Sequence, residues 1–432
     1  MKTLIDNIAQ LVAVPPGPVA GEAFSRPPII EGAALLIEGE TIAWFGPRAD
    51  VPISRIDHTI DAHGGTVVPG LVDCHTHVVF AGSREDEYVR RIGGATYLEI
   101  LDAGGGIRSS VRALRQASVD DLVEQSRPRL RRMLAWGATT VEVKTGYGLT
   151  PDDEIKMLLA VQRLAAELPV ELVPTYLAAH AVPPEYEGRP DEYLRLMTAP
   201  LLLQRLRGEH LAEFADVFCE RGAFTIEQSR RFLTACRQAG LKPKIHAEQI
   251  TATGAARMAA ALGAVSADHL ECIDDAAISA LKQSRTIPVL LPGCSFFLGT
   301  APAPARKLIE AGLPVALATD CNPGSCLIES LPLIMSIAAS VLRMTPLESL
   351  VACTANAAAA LDRAARLGAV AKGWQADLLF LDIPNVNRWA YQVGVNPVRT
   401  VLKRGRVVAR SEMPNGEPPP PLGEGLGVST RA

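Results

Sequence analysis

The sequence predicts an α/β protein: a (β/α)8 TIM-like barrel with a small β-sandwich-like domain built from both chain ends. Three observations predict it. Between residues 66 and 366, eight short apolar and β-branched runs alternate with helical patterns, as strands buried on both faces of a parallel sheet do. On either side of that stretch the texture is short strands broken by Gly and Pro, which is small-sheet material. No GxGxxG follows the first long strand, so an open doubly wound sheet loses its main support.

Residues 1–65 supply the first part of the small domain, with strands expected at 34–37, 41–45 and 55–61. The barrel, 66–366, has strands expected at 66–73, 139–144, 170–176, 216–219, 242–246, 266–270, 287–291 and 314–319. Ser118 caps a helix with Leu122, Val123, Leu130, Met133 and Leu134 on its inner side, and Gly137 stops it. Pro128 inside that helix predicts a kink or a break. Thr150-Pro151-Asp152-Asp153 is a capping sequence with proline at the first helical position, and Thr225 with Gln228 is another capping pair. Residues 286–305 carry no charge over a length that suits a membrane span, but Pro288, Pro292, Pro302 and Pro304 break a helix there. A buried strand followed by a loop is expected instead. Strands at 376–381, 400–403 and 406–408 complete the small domain (367–410), and 411–432 form a proline-rich tail.

The 432 residues are 48% hydrophobic and 21% charged, which excludes a disordered chain and supplies a full core. Forty-three Lys and Arg against forty-seven Asp and Glu leave a net charge of −4, without the basic excess of nucleic-acid binders. The expected partner is a small-molecule substrate, with no nucleic acid and no membrane. Asp6 interrupts the N-terminal apolar run, so no signal peptide is expected. Eight scattered cysteines form no CxxC pair, which argues against zinc-ribbon or thioredoxin-like sites and for a reduced, cytoplasmic setting.

Five of the eight histidines fall at or just beyond the C-terminal end of a predicted strand, the active-site face of such a barrel. His75 and His77 follow the apolar run VVPGLVDC and, as i and i+2, point the same way. They can present two imidazoles to one metal. His246 ends the fifth strand and Asp320 the eighth. Taken singly, such a histidine is more often structural, and such an aspartate can simply cap a helix. Together the four converge at the barrel mouth, and three imidazoles with one carboxylate suit Zn2+ or iron with a position open for water. The expectation is one divalent or ferric ion per subunit (Zn2+ or Fe3+). Asp320 is then both a ligand and a proton shuttle. His269, ending the sixth strand, either polarises a carbonyl under attack or is structural. Lys144 ends strand two rather than four, which favours a single metal and a structural or ion-pairing lysine.

These residues resemble the amidohydrolase superfamily, and the longer motifs resemble its imidazolonepropionase family. The matching stretches are PGLVDCHTHVVFAGSR (69–84), GATYLEILDAGGGI (94–107), EVKTGYGL (142–149), HAVPPEY (180–186), KIHAEQ (244–249), ATDCNPGS (318–325) and YQVGVNPV (391–398). The resemblance implies a barrel with a small β-domain from both ends. It implies hydrolytic opening of the cyclic amide of 4-imidazolone-5-propanoate to N-formimidoyl-L-glutamate, in histidine degradation. Hydroxide generated at the metal attacks the ring carbonyl, His269 assists, and Asp320 passes the proton to the ring nitrogen. His75, His77, His246 and Asp320 are the implied ligands. Arg84, Tyr97, Tyr147, His180, Gln249, Asn322, Gly324 and Ser325 are the implied substrate contacts, with Gln249 also counted among the catalytic residues beside Asp320 and His269.

The chemistry of these residue types agrees. An arginine fork such as Arg84 can hold the substrate's propanoate by two hydrogen bonds. Gly146 and Gly148 permit unusual backbone angles that aim Tyr147 inward. The 322–325 turn has backbone N–H groups able to reach ring or carboxylate oxygens, although alone it is merely a tight turn. Residues 104–106 are a glycine run expected as a lid segment. The alternatives are another cyclic amidase or a deaminase of the same fold, a non-catalytic scaffold, and an anion-binding module. Residues 327–342 are apolar enough for a core helix or a dimer surface, and the superfamily habit of dimerising implies a homodimer.

Overall fold

The computed structural model describes residues 1–52, 55–95, 99 and 104–411 of the chain. Tyr97 and nearly all of the expected tail lie outside the described residues.

Two eight-stranded sheets organise the described residues. The first takes strands from both ends of the chain: β1 (Lys2–Val12), β2 (Ile29–Glu38), β3 (Thr41–Pro47), β4 (His58–Asp61) and β5 (Thr66–Pro69) from the N-terminal side. The second is all parallel: β6 (Leu71–Asp73), β7 (Ala138–Lys144), β8 (Glu171–Ala179), β9 (Phe214–Cys219), β10 (Lys242–Ala247), β11 (Ser266–His269), β12 (Ile287–Leu290) and β13 (Ala316–Leu317). β14 (Leu378–Leu381), β15 (Val398–Lys403) and β16 (Arg406–Arg410) then return to the first sheet, where β14 lies antiparallel to β5. The parallel sheet closes on itself just past the strand ends. Thr76 bridges Cys321, the His77 N–H donates to the Cys321 carbonyl at 2.9 Å, and the Asp320 N–H donates to the His75 carbonyl at 3.0 Å. The barrel therefore shuts at the point where three of the expected ligands sit.

Three local expectations are corrected. The run expected as one strand at 66–73 is two strands in different sheets, separated at Gly70. A Cβ there would stand 2.5 Å from the Thr139 hydroxyl, so only glycine lets the chain cross so close to β7. An apolar run buried throughout carries no periodicity to reveal the change of sheet. β1, central in the small sheet, was not expected at all. A bulge between Ile5 and Ile8, with Asn7 at φ 57°, breaks its apolar alternation in the sequence. The loop expected after the strand near 287 begins as a helix, Pro292–Leu298, with Pro292 at its first position.

The capping predictions hold. Ser118 and Asp121 form a reciprocal box, as do Thr225 and Gln228, and the Thr150 hydroxyl accepts from the Asp153 N–H at 3.1 Å. The helix Val119–Ala135 runs unbroken through Pro128. The helix Leu331–Val341 is mainly a core helix. No described helix is long and apolar enough to cross a membrane.

An ionic cluster joins the underside of the barrel to the small sheet. Glu171 at the start of β8 accepts from Arg363 at 3.2 Å and pairs with Arg366, while Lys403 of β15 lies 3.6 Å away and binds Asp377 at 2.8 Å. Burial alone pushes the Glu171 carboxyl up, but the three cations outweigh it and hold it down at about 2. A carboxyl depressed on folding stabilises above its unfolded value near 4.3, and the gain is lost as pH falls through the folded value. Glu171→Gln should therefore lose about 3 kcal/mol at neutral pH and show a flatter decline between about pH 5 and pH 2. Urea unfolding across that range checks this, and an unchanged neutral-pH stability would rule out the cluster as a clamp.

Candidate metal and substrate site

His75 and His77 leave β6 at the barrel mouth, His246 ends β10, and Asp320 follows β13. None is more than 3% exposed. His246 Nε2 lies 3.4 Å from His77 Nε2, and Asp320 Oδ1 lies 3.5 Å from His75 Nε2 and 3.8 Å from His77 Nε2. Two donors held about 2.05 Å from a tetrahedral ion stand about 3.3 Å apart, so the set fits a metal with little adjustment. His75 Nε2 is buried with no hydrogen-bond partner among the described residues, which an ion accepting its lone pair would cure. Burial, with help from Lys144, holds His75 well below the usual imidazole range, and burial with His180 does the same to His77. Both are thus neutral, as ligands must be. Burial lifts the Asp320 carboxyl, and a cation beside it would reverse that.

His269 joins the same group, within 4.8 Å of His75 and His246 by their nearest ring nitrogens. Burial disfavours its charged form, but Glu271, 3.6 Å from Nδ1, outweighs this and raises it. Left-handed backbone delivers His269 (φ 82°) and Asp320 (φ 53°). Such local strain persists only where surrounding structure over-determines it. For Asp320, that structure includes Thr319, whose N–H and hydroxyl both bind Asp73 of β6, at 3.1 and 2.6 Å.

Beneath the histidines lies a fully buried array of charge. The Lys144 ammonium sits 2.6 Å from Asp216, 3.2 Å from Glu142 and 3.3 Å from Asp268. The Lys244 ammonium sits 2.7 Å from Glu142. Asp268 reaches His75 Nδ1 at 2.7 Å, and Asp216 reaches His246 Nδ1 at 3.1 Å. Two carboxylates thus sit behind two of the ligand imidazoles, the arrangement that fixes tautomer and ring orientation. Lys144 is the ion-pairing residue expected of it. Asp216 and Asp268 were not picked out as site residues. The available signal was a charged residue inside an otherwise apolar barrel strand, and Glu142, Asp216, Lys244 and Asp268 all carry it.

The expected substrate contacts that are described follow several different strands around the mouth: Tyr147 after β7, His180 after β8, Gln249 after β10 and the 322–325 turn after β13. His180 stacks on His77, ring centroids 5.1 Å apart, and its Nδ1 lies 3.1 Å from the Gly146 carbonyl. Burial, then His246, pushes His180 down to about 3. The buried Tyr147 ring stands 5.6 Å from His180 and 5.9 Å from His77. The Gln249 amide donates to Cys294 Sγ at 3.5 Å. The Arg84 guanidinium packs so closely over Gly324 that any side chain there would collide with Nη1. Arg84 also donates through Nε and Nη2 to Glu87 Oε2, at 2.9 and 2.8 Å, and the same oxygen accepts the Gly106 N–H at 3.1 Å. The 322–325 turn differs from expectation. The Gly324 and Ser325 N–H groups donate to Asn322 Oδ1 at 2.8 and 2.7 Å, so the turn binds its own side chain.

The chain matches the model described as "Amidohydrolase family" over residues 80–409. An imidazolonepropionase of Geobacillus kaustophilus is 49% identical over 396 residues, covering 90% of this chain and 93% of the relative. One of Chloroflexus aggregans is 48% identical, covering 95% and 99%. Among solved structures, a 5-methylcytosine deaminase of Klebsiella pneumoniae superposes with a TM-score of 0.73 at 19% identity, over 96% of this chain and 98% of that one. An adenosine deaminase of Xanthomonas campestris with bound zinc superposes at 0.68 and 18%, over 95% and 94%. Those two structures share the fold, whereas the curated relatives share nearly half of all residues along almost the whole chain. This chain belongs to the amidohydrolase family, among the imidazolonepropionases.

Proposed function

We propose that the chain hydrolyses the cyclic amide of 4-imidazolone-5-propanoate, giving N-formimidoyl-L-glutamate. The observation that carries this reading is the convergence of His75, His77, His246 and Asp320 on one point, with Arg84, Tyr147 and His180 ringed beside it. Those four residues would hold one metal ion per subunit, Zn2+ or ferric iron, which would supply a lowered water pKa and Lewis acidity.

The chain's own groups do the rest. Arg84 takes the propanoate, and the walls of Tyr147, His180 and Gln249 hold the flat ring. Asp320 takes a proton from the attacking water and delivers it to the ring nitrogen as the carbon–nitrogen bond breaks. The His269 imidazole donates toward the oxygen that gains charge when water adds to the carbonyl. Asp268 and Asp216 keep His75 and His246 turned with Nε2 to the centre.

Purified protein should bind one metal ion and turn over freshly made imidazolone propanoate without releasing ammonia. Chelation and His246→Ala should each abolish turnover. Full activity after chelation would sink the reading, and ammonia release would favour a deaminase. Asp268→Asn keeps every proposed ligand but loses the charge behind His75. Its metal affinity should fall about 10- to 100-fold, measured by competition with a chromophoric chelator; wild-type affinity would remove Asp268 from the role.

A homodimer is also proposed. Tyr391, Val393 and Val395 are 84, 63 and 47% exposed in one short stretch, more apolar surface than a lone loop needs. Light scattering should give twice the chain mass, and a monomer at all concentrations would refute it. The eight free cysteines support a reducing, cytoplasmic setting.

A further inference from the structure

The loop that carries Tyr147 is wrapped around a carboxylate that the proposed reaction does not use. Glu154 lies four residues into the helix Pro151–Glu167 and is fully buried. Its Oε1 accepts the N–H groups of Gly148 and Leu149, both at 2.8 Å, and its Oε2 accepts the Gly146 N–H at 3.1 Å. Among the described residues no ion pair is made to it. A buried carboxylate without a cation is expensive: burial pushes Glu154 up, and the Thr145 hydroxyl and three backbone N–H groups offset part of that cost.

The loop around it has no slack. A Cβ on Gly146 would stand 2.8 Å from His180 Nδ1, and one on Gly148 would stand 2.6 Å from the Asp153 backbone. From the opposite side Arg115 donates to the Gly148 carbonyl at 2.9 Å. The Gly146 peptide is the junction: its N–H is held by Glu154 and its neighbouring carbonyl holds His180 Nδ1. One carboxylate therefore sets both the loop that aims Tyr147 and the group that orients His180.

We propose that Glu154 is a positioning residue for substrate binding, acting through Tyr147 and His180. This rests on the reading of those two side chains as substrate contacts. In Glu154→Gln one oxygen still serves Gly148 and Leu149, but an amide N–H then faces the Gly146 N–H, donor against donor. The Gly146 peptide must shift, and His180 and Tyr147 move with it. The metal ligands, on other strands, stay in place.

Steady-state kinetics and metal analysis of Glu154→Gln test this. KM should rise about tenfold while kcat changes by less than about threefold and metal content stays at the wild-type level. Adding Tyr147→Phe should raise KM by less in the Glu154→Gln background than in the wild type. A wild-type KM, strictly multiplicative effects, or a kcat loss accompanied by metal loss would each overturn the role. Should Glu154→Gln not accumulate as folded protein, Arg115→Gln decides. It removes the partly exposed support on the other side of the loop, and a smaller KM rise with wild-type kcat is expected; an unchanged KM overturns the proposal. Tyr147→Phe and His180→Asn in the intact loop separate the two levels. If neither raises KM, the substrate reading fails; if they do and Glu154→Gln does not, the positioning role alone fails.

Discussion

The ion array inside the barrel is the constraint on which the rest of the site depends. Lys144 and Lys244 are buried on a parallel sheet among Glu142, Asp216 and Asp268. Such an array is a poor source of stability, because desolvating several charges offsets most of their attraction, and apolar residues of similar volume often serve a core better. Removing one member leaves another uncompensated. What the array does supply is direction. Asp268 and Asp216 lie on β11 and β9, with the Lys144 ammonium between them, and each faces a different ligand imidazole. Burial and Lys144 together drive His75 toward its neutral form, so the same lysine that gathers the carboxylates keeps a ligand lone pair available.

The rim is built on the same logic with different acceptors. Three of the segments that carry the proposed substrate contacts are tied by an internal oxygen. Glu154 holds the 145–149 loop, Asn322 holds its own turn, and Glu87 holds Arg84 together with the Gly106 N–H. Backbone donors are already occupied in all three places, including the 322–325 turn whose N–H groups the sequence offered to substrate oxygens. On the proposed reading, recognition of substrate falls to side chains that the backbone keeps still. That division suits an enzyme whose chemistry needs reacting atoms positioned within a fraction of an ångström.

How much of this was legible follows from how each feature is written in the chain. His75 and His77 show as an i, i+2 pair, and His246, His269 and Asp320 each fall at the end of a predicted strand, so local pattern reaches them. The eight barrel strands are visible for the same reason. The partners Asp216 and Asp268 are 52 residues apart and meet only because β9 and β11 flank β10 in the closed sheet. Their identity as charges within strands was visible, but their pairing is tertiary. β1 was hidden by its bulge, and the strand at 66–73 concealed a change of sheet because burial on both faces erases periodicity. Nothing in the sequence sets Glu154 apart from Asp152 and Asp153, the other acids of a first helical turn, and only the loop folded over it reveals another use.

Arg84 brings these levels together. Two of its nitrogens are committed to Glu87, and Nη1 remains pressed over Gly324 at the edge of the site. On the proposed reading, a substrate carboxylate on a short arm would meet a guanidinium already held in plane by Glu87, so little ordering would remain to be done on binding. A ring without the arm leaves that edge of Arg84 desolvated with no partner. Sites built around a polar partner reject ligands that lack it far more strongly than apolar pockets reject a missing methylene. Glu87 sharpens the preference in the other direction, because an extended ligand that pushes a carboxylate past Arg84 meets a like charge. The proposed selectivity for a propanoate side chain therefore comes from two opposed charges, Arg84 and Glu87, held at fixed spacing.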